Sequence, residues 1–259
     1  MMRFDLTDEE WSIIAPLLPP TRQGGERRDD RQVLNGIFHV LRTGTPWDNL
    51  PACYGPHTTA YNRFNRWSAQ GIWQRLFEEL ARRHPASVEM IDSTTMKAHR
   101  AAAGAKRGLS SQARAHAEGI GHSRGGRTTK LHAIVDGFGR LKRFCLTGGH
   151  EHDMAGVDPL LLGRQRPASI VIADKAYDAE RLRSGLAERG SLAVIPFRVS
   201  ARAPRPLDRN LYAQRNVIER AFNLLKDYRR IATRYDKLAR NFAAAVVLTA
   251  IRLWYLIRV

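Results

Sequence analysis

Two short apolar runs, Val88-Glu89-Met90-Ile91-Asp92 and Ile170-Val171-Ile172-Ala173-Asp174, each close on an aspartate. Runs this short and this rich in β-branched residues read as strands. Lys130 to Val135 and Leu141 to Leu146 read as a hairpin across Asp136-Gly137-Phe138-Gly139, and Leu192 to Phe197 as a further strand after a helical pattern at Ala179 to Arg189. Tyr212 to Arg230 and Asn241 to Ile257 close the chain as helices. A hairpin followed by strands alternating with helices predicts an α/β domain with a mixed sheet.

The first third of the chain has a different texture. Thr7 followed by Glu10 is a capping box, and Trp11, Ile14, Leu17 and Leu18 recur at helical spacing until Pro19-Pro20. Asp29 or Asp30 caps a second amphipathic helix through Leu41 that stops at Gly44 and Pro46, and a fourth helix follows Gly71. Between them a short third helix, Ala60 to Ser68 and capped by Thr58 or Thr59, aligns Tyr61, Phe64 and Trp67 on one stripe. Asn62, Arg63, Asn65 and Arg66 are left for the remaining surface. Such a helix suits the recognition helix of a helix-turn-helix; it equally suits a plain basic helix in a small bundle. Residues 1–83 are therefore expected to form a small all-α, helix-turn-helix-like domain, and 84–259 the α/β domain.

Charge narrows the function. The 259 residues carry 42 Lys and Arg against 25 Asp and Glu, a net charge of +17, which points first to nucleic acid. Eight of the basic residues and one acid fall in 97–130, a stretch rich in Gly, Ala and Ser expected to be a flexible basic loop; twelve and four fall in 198–240. With 43% hydrophobic residues the chain is neither disordered nor a coiled coil, and two cysteines, Cys53 and Cys145, are too few for a disulfide scaffold. The first ten residues carry four acids and no apolar stretch. Phe242 to Ile257, interrupted by Arg252, falls short of the ~20 apolar residues of a membrane span. A cytoplasmic protein without membrane attachment is expected.

Asp92 and Asp174 converge if their strands are neighbours. Two close carboxylates cannot both stay ionised without a cation, and Mg2+ is the hard ion such pairs hold; alternatively each merely caps the segment after it. Tyr212, Arg215, Glu219 and Lys226, spaced by three, four and seven residues, share a stripe about 60° wide on one helix at ~100° per residue. That stripe is either functional or a solvated face with an Arg215–Glu219 pair. His150-Glu151-His152 could be mistaken for a paired-histidine metal site, but the middle residue of such nuclease motifs is bulky and apolar, and here it is Glu151.

Asp92, Asp174 and Glu219, with Tyr212-x2-Arg215-x3-Glu219-x6-Lys226 around the last acid, resemble the DDE triad and Y-R-E-K signature of bacterial insertion-sequence transposases. The run Gly121 to His132, Trp47-Asp48-Asn49-Leu50-Pro51 and Tyr61 to Trp67 resemble the insertion-sequence-five group, so the similarity extends roughly from Leu6 to Trp254. The resemblance implies an RNase H-like fold with the two aspartates on its first and fourth strands and the glutamate on a later helix. It implies a transposase that binds terminal inverted repeats and cleaves and transfers DNA strands by two-metal phosphoryl transfer, Asp92, Asp174 and Glu219 holding two Mg2+ ions, with Mn2+ as a substitute. Expected DNA contacts are Tyr212, Arg215, Lys226, Asn62, Arg63, Arg66, Arg124, Arg127 and Lys130, with His152 and Asp153 at the rim of the site. Its expected partners are the double-stranded DNA of transposon ends and target, and further copies of itself in a dimer or larger assembly, on the bacterial nucleoid. The competing reading is a catalytically silent DNA-binding descendant, which would be expected to have lost an acid; all three are present.

Overall fold

The computed structural model describes residues 4–20, 28–102, 118–123, 125–163, 168–197 and 206–256. The chain divides into two compact units, and neither is continuous in sequence. One comprises Met1–Arg83, His99–Arg107 and Leu224–Val259, the other His84–Ala98 and Gly108–Asn223. This differs from a single cut after residue 83.

The first unit is helical. Helix α1 (Asp8–Ile14) opens on the expected capping box: Glu10 N donates to Thr7 Oγ1 at 3.2 Å and Thr7 N to Glu10 Oε2 at 2.8 Å. Asp29 caps α2 (Asp30–Thr43), which ends at Gly44 in the left-handed region with φ 75°, where a β-carbon would lie 2.8 Å from Arg229 Cβ. Helix α3 (His57–Ala69) starts directly after Pro56, earlier than Thr58 or Thr59 would set it, and no side chain caps it. Gly71 precedes α4 (Ile72–Arg82), and the Trp67 and Trp73 rings pack with centroids 4.7 Å apart.

The carboxyl-terminal helices belong to this helical unit and not to the sheet. The helix ending the chain, Ala239–Ala250, buries Asn241, Phe242 and every residue from Ala244 to Ala250. A helix apolar on nearly all faces needs neighbours on every side, which other helices supply and one sheet face does not. It packs on α2, α3 and α4, and Asn241 Nδ2 donates to Asn65 Oδ1 at 2.5 Å. Among the described residues no helix is long and apolar enough to cross a membrane.

The second unit is a mixed sheet. Strand β1 (Val88–Ala98) runs antiparallel to β3 (Gly126–Asp136) and parallel to β5 (Ile170–Ile172), which is parallel to β6 (Leu192–Val194). On its other edge β3 pairs with β2 (Gly121–Ser123) and then β4 (Leu141–Gly148). Both ends of the expected loop 97–130 are thus strand: Lys97 and Ala98 finish β1, and 121–123 and 126–130 lie in β2 and β3. Residues 103–117 lie outside the described residues. The hairpin turn is built on Asp136, whose Oδ1 accepts from Phe138 N and Arg140 N at 3.0 Å each, and on Gly139 at φ 82°. The 3-10 turn Lys175–Tyr177 follows β5, and helix α5 (Glu180–Ala187) packs Leu182 and Leu186 with Ile91, Ile134, Val157, Leu161 and Val171 in one core.

In β1, buried Glu89 accepts from Arg143 of β4 at 2.8 Å in a two-pronged ion pair. Removing one partner strands a charge in the sheet. Arg143→Ala is expected to cost about 3–5 kcal/mol in a denaturant titration, and replacing both partners by apolar residues clearly less. Equal costs would show that the pair is held by packing alone.

Candidate active site

The register of β1 with β5 determines where the aspartates stand. The last paired residues are Met90 and Ile172, and Asp92 and Asp174 each lie two residues beyond them. Two acids on neighbouring parallel strands therefore reach the point where the strands part, on the same face by the two-residue alternation of strands. Asp92 is not at a strand end as its apolar run suggests. It lies mid-strand opposite Ala133, because β1 continues along β3 to Lys97. Asp174 does cap the turn after its strand, accepting from Ala176 N at 2.8 Å.

Around Asp92 the chain supplies counter-charge. Arg215 Nη1 donates to Asp92 Oδ2 at 2.9 Å, and its other terminal nitrogen donates to Glu219. Burial pushes the Asp92 carboxyl up to about 6; Asp174 and Asp153 push it further, while the Ser93 N–H and Arg215 pull it back. Asp153 begins a 3-10 turn (Asp153–Gly156) and accepts from Ser93 Oγ at 2.6 Å and from Lys130 Nζ at 2.9 Å. Burial alone would raise its carboxyl, but those two donors outweigh it and hold the group below its ordinary value. Beneath Ser93, buried His132 shares a hydrogen bond with Thr147 Oγ1 at 2.8 Å, and burial pushes its imidazole down to about 4. Gly156 packs directly on that ring, where a β-carbon would lie 2.6 Å from His132 Cβ.

The acids suit a hard divalent cation in kind, being carboxylates whose mutual repulsion it would relieve. Among the described residues, however, no three His, Cys, Asp or Glu side chains stand close enough to hold one. Glu219 meets Asp92 only through the Arg215 guanidinium.

Comparison with known proteins gives the family of the chain. A family model described as "Transposase DDE domain" matches residues 83–254, and one described as "Putative transposase of IS4/5 family" matches residues 6–77. The chain belongs to the DDE transposases of the IS4/5 type. A Brucella ovis protein described as "Putative transposase for insertion sequence element IS6501" is 41% identical over 131 residues, 49% of this chain and 98% of that one. The Burkholderia cepacia "Insertion element IS402 uncharacterized 16.2 kDa protein" is 36% identical over 108 residues, 36% of this chain and 73% of that one. A solved structure, a pre-cleavage Mos1 transpososome, aligns with 82% of this chain and 81% of its own at 10% identity and a TM-score of 0.25. The mixed sheet with its helical partner unit agrees with the RNase H-like expectation for this transposase family.

The remaining residues singled out by sequence fall in several environments. The expected continuous helix Tyr212 to Arg230 is three pieces: α6 (Arg209–Ala213), α7 (Asn216–Lys226) and α8 (Arg229–Ala232). Tyr212 sits on α6, Arg215 in the break, and Glu219 and Lys226 on the first and last turns of α7. The stripe is not carried by one helix, since a break of two residues hardly disturbs an i,i+3/i+4 pattern. Lys226 is half-buried, which lowers its ammonium pKa. Asn62 and Arg66 are exposed on α3, but Arg63 is buried, paired with Asp30 and stacked on Trp67 with its guanidinium 4.8 Å from the ring centroid. Arg63 thus belongs to the core face that Tyr61 was expected to occupy; Tyr61 is exposed instead. Arg127 is exposed, Lys130 is committed to Asp153 and the Glu151 carbonyl, and Arg124 lies outside the described residues. His152 is exposed and caps the turn of Asp153, accepting from Met154 N at 3.2 Å. Ser93 and Tyr177, next to the first acid and three residues after the second, drew no attention in the sequence, and adjacency to each acid was the available signal.

His132 makes the sheet unit acid-sensitive. The unfolded chain takes up a proton near 6.5 that the folded histidine refuses until about 4, so stability is complete above 6.5 and is lost as pH falls toward 4. The wild-type denaturation midpoint should fall more steeply from pH 6.5 to 4.5 than that of His132→Gln. Parallel curves would show that His132 is not the group responsible.

Proposed function

We propose that the chain binds the terminal inverted repeats of its insertion sequence as double-stranded DNA and catalyses divalent-metal-dependent strand cleavage and strand transfer at those ends. The observation carrying this reading is that Asp92 and Asp174 each stand two residues beyond the last pair of the neighbouring parallel strands β1 and β5, in a chain of the DDE transposase family. That its relatives bear the names of insertion elements favours the same substrate.

In this reading Asp92, Asp174 and Glu219 hold Mg2+, or Mn2+ in its place. Held there, such a cation would supply Lewis acidity at the scissile phosphate. Arg215 is the residue that must move: its guanidinium occupies the space between Asp92 and Glu219, and an arriving phosphodiester offers it an equally good anionic partner. Once released, it leaves Glu219 to join the aspartates. The water oxygen bonds to phosphorus as the bond to the 3′ oxygen breaks, and the freed 3′-hydroxyl attacks a target phosphodiester in the same manner. Asp153, clamped by Lys130 and Ser93, stays ionised at the rim and keeps Ser93 fixed beside Asp92. Tyr212, Arg127 and Lys226 contact the DNA backbone, Asn62 and Arg66 of α3 read the end sequence, and joining two ends requires at least a dimer.

Asp92→Asn, Asp174→Asn and Glu219→Gln are each expected to reduce Mg2+-dependent nicking of labelled terminal repeats to background while leaving gel-shift binding within about twofold. Nicking that survives in any of the three removes that residue from the assignment. For Lys226→Ala, the logarithm of affinity against the logarithm of salt should lose about one unit of slope. An unchanged slope takes Lys226 off the DNA.

A further inference from the structure

Tyr177 is completely buried, and among the described residues its hydroxyl has no hydrogen-bond partner. Buried phenols nearly always find one, so an orphan of this kind calls for an explanation in function or in a second state of the site. Its location supplies one. Tyr177 closes the turn that Asp174 opens: Tyr177 N donates to the Asp174 carbonyl at 3.1 Å while the Asp174 carboxylate accepts from Ala176 N. Tyr177 belongs to the buried core that includes Ile91, Val157, Leu161 and Leu182, which keeps the phenol away from solvent. The groups whose charge reaches the hydroxyl are Asp92, Asp153, Asp174 and the thiol of Cys145. Burial and these acids keep the phenol protonated, and a protonated phenol among carboxylates can only serve them as a donor.

We infer that Tyr177 is a positioning residue for the acid cluster, its hydroxyl donating to the Asp92 carboxylate when that group turns from Arg215 to a divalent cation. This rests on the reading that Asp92 and Asp174 hold such a cation. Asp92 leaving Arg215 loses its charged donor and keeps the Ser93 N–H, and a second uncharged donor would orient the carboxylate without competing with the cation for its charge. Donors behind metal-binding carboxylates generally change metal affinity by about 10- to 100-fold when removed.

The test is Tyr177→Phe in the full chain, which deletes one unpartnered oxygen and keeps the ring. Three quantities are compared with wild type and with Asp92→Asn: Mn2+ affinity by calorimetry in the presence of a saturating terminal-repeat duplex, the melting temperature without metal, and the Mg2+ concentration for half-maximal nicking. The expected result is a melting temperature equal to or above wild type, Mn2+ affinity at least about 10-fold weaker, and nicking restored to the wild-type maximum at high Mg2+. Mn2+ affinity within twofold of wild type overturns the inference, as does a melting temperature that falls together with the affinity. If Asp92→Asn binds Mn2+ as tightly as wild type, the metal reading itself fails and the role of Tyr177 goes with it. Loss of binding in Asp92→Asn with none in Tyr177→Phe leaves the metal reading standing and removes only the tyrosine.

Discussion

Carboxylates gathered where buried strands part repel one another, and the arrangement of the sheet unit follows from how that repulsion is met. Two like unit charges about 4 Å apart at an effective dielectric near 20 cost about 4 kcal/mol, a large share of the 5–15 kcal/mol that holds a domain together. Among the described residues two cations meet it. Arg215 spans Asp92 and Glu219, and Lys130 holds Asp153. Each cation comes from a different element, so the break between α6 and α7, strand β3 and the turn at Asp153 are all bound to one electrostatic centre.

The two clamps do not act alike. Asp153 receives two strong donors and is held ionised below its ordinary pKa, which makes it a permanent part of the frame. Asp92 is buried more than it is compensated, and its carboxyl rises to about 6 despite Arg215. An acid left short of counter-charge gains most from a second cation, whereas one already saturated gains little. The donors around Asp153 saturate its acid, whereas Arg215 leaves Asp92 short of counter-charge.

What the sequence made legible was local. The capping box at Thr7, the turn at Asp136 to Gly139 and the stop at Gly44 each depend on a few adjacent residues, and each stands where its pattern indicates. The positions that departed from expectation depend on partners far along the chain. Asp92 reads as a strand end because the polar Ser93-Thr94-Thr95 after it lacks an apolar pattern, yet pairing with β3 carries the strand five residues past the acid, to Lys97. Arg63 reads as surface because it is charged, but Asp30, 33 residues away, receives it inside the helical unit. The last helix reads as the end of the α/β domain by order alone. Its all-round apolarity was visible in the sequence, and a helix of that kind belongs among helices. The acids of the candidate site were legible for a related reason: the parallel register repeats the same two-residue step beyond Met90 and Ile172, so two similar runs in the sequence become one place in the fold.

The excess positive charge reads differently once the pairs are known. Arg63, Arg140, Arg143, Arg183, Lys130 and Arg215 are all matched to acids within their own unit, so none of them accounts for any of the net +17. Internal pairing uses up acids as fast as it uses up bases. The surplus therefore rests on the other cations, among them Arg66 and Lys237 in the helical unit and Arg127, Arg209 and Arg220 in the sheet unit, all exposed to solvent. A surplus buried in pairs would have been invisible beyond a Debye length of ~8 Å at physiological salt, whereas one carried on exposed side chains is felt by a polyanion before contact. Each of the two units keeps such exposed cations. Among these paired cations Arg215 alone is shared between two acids, the largely buried Asp92 and the half-exposed Glu219.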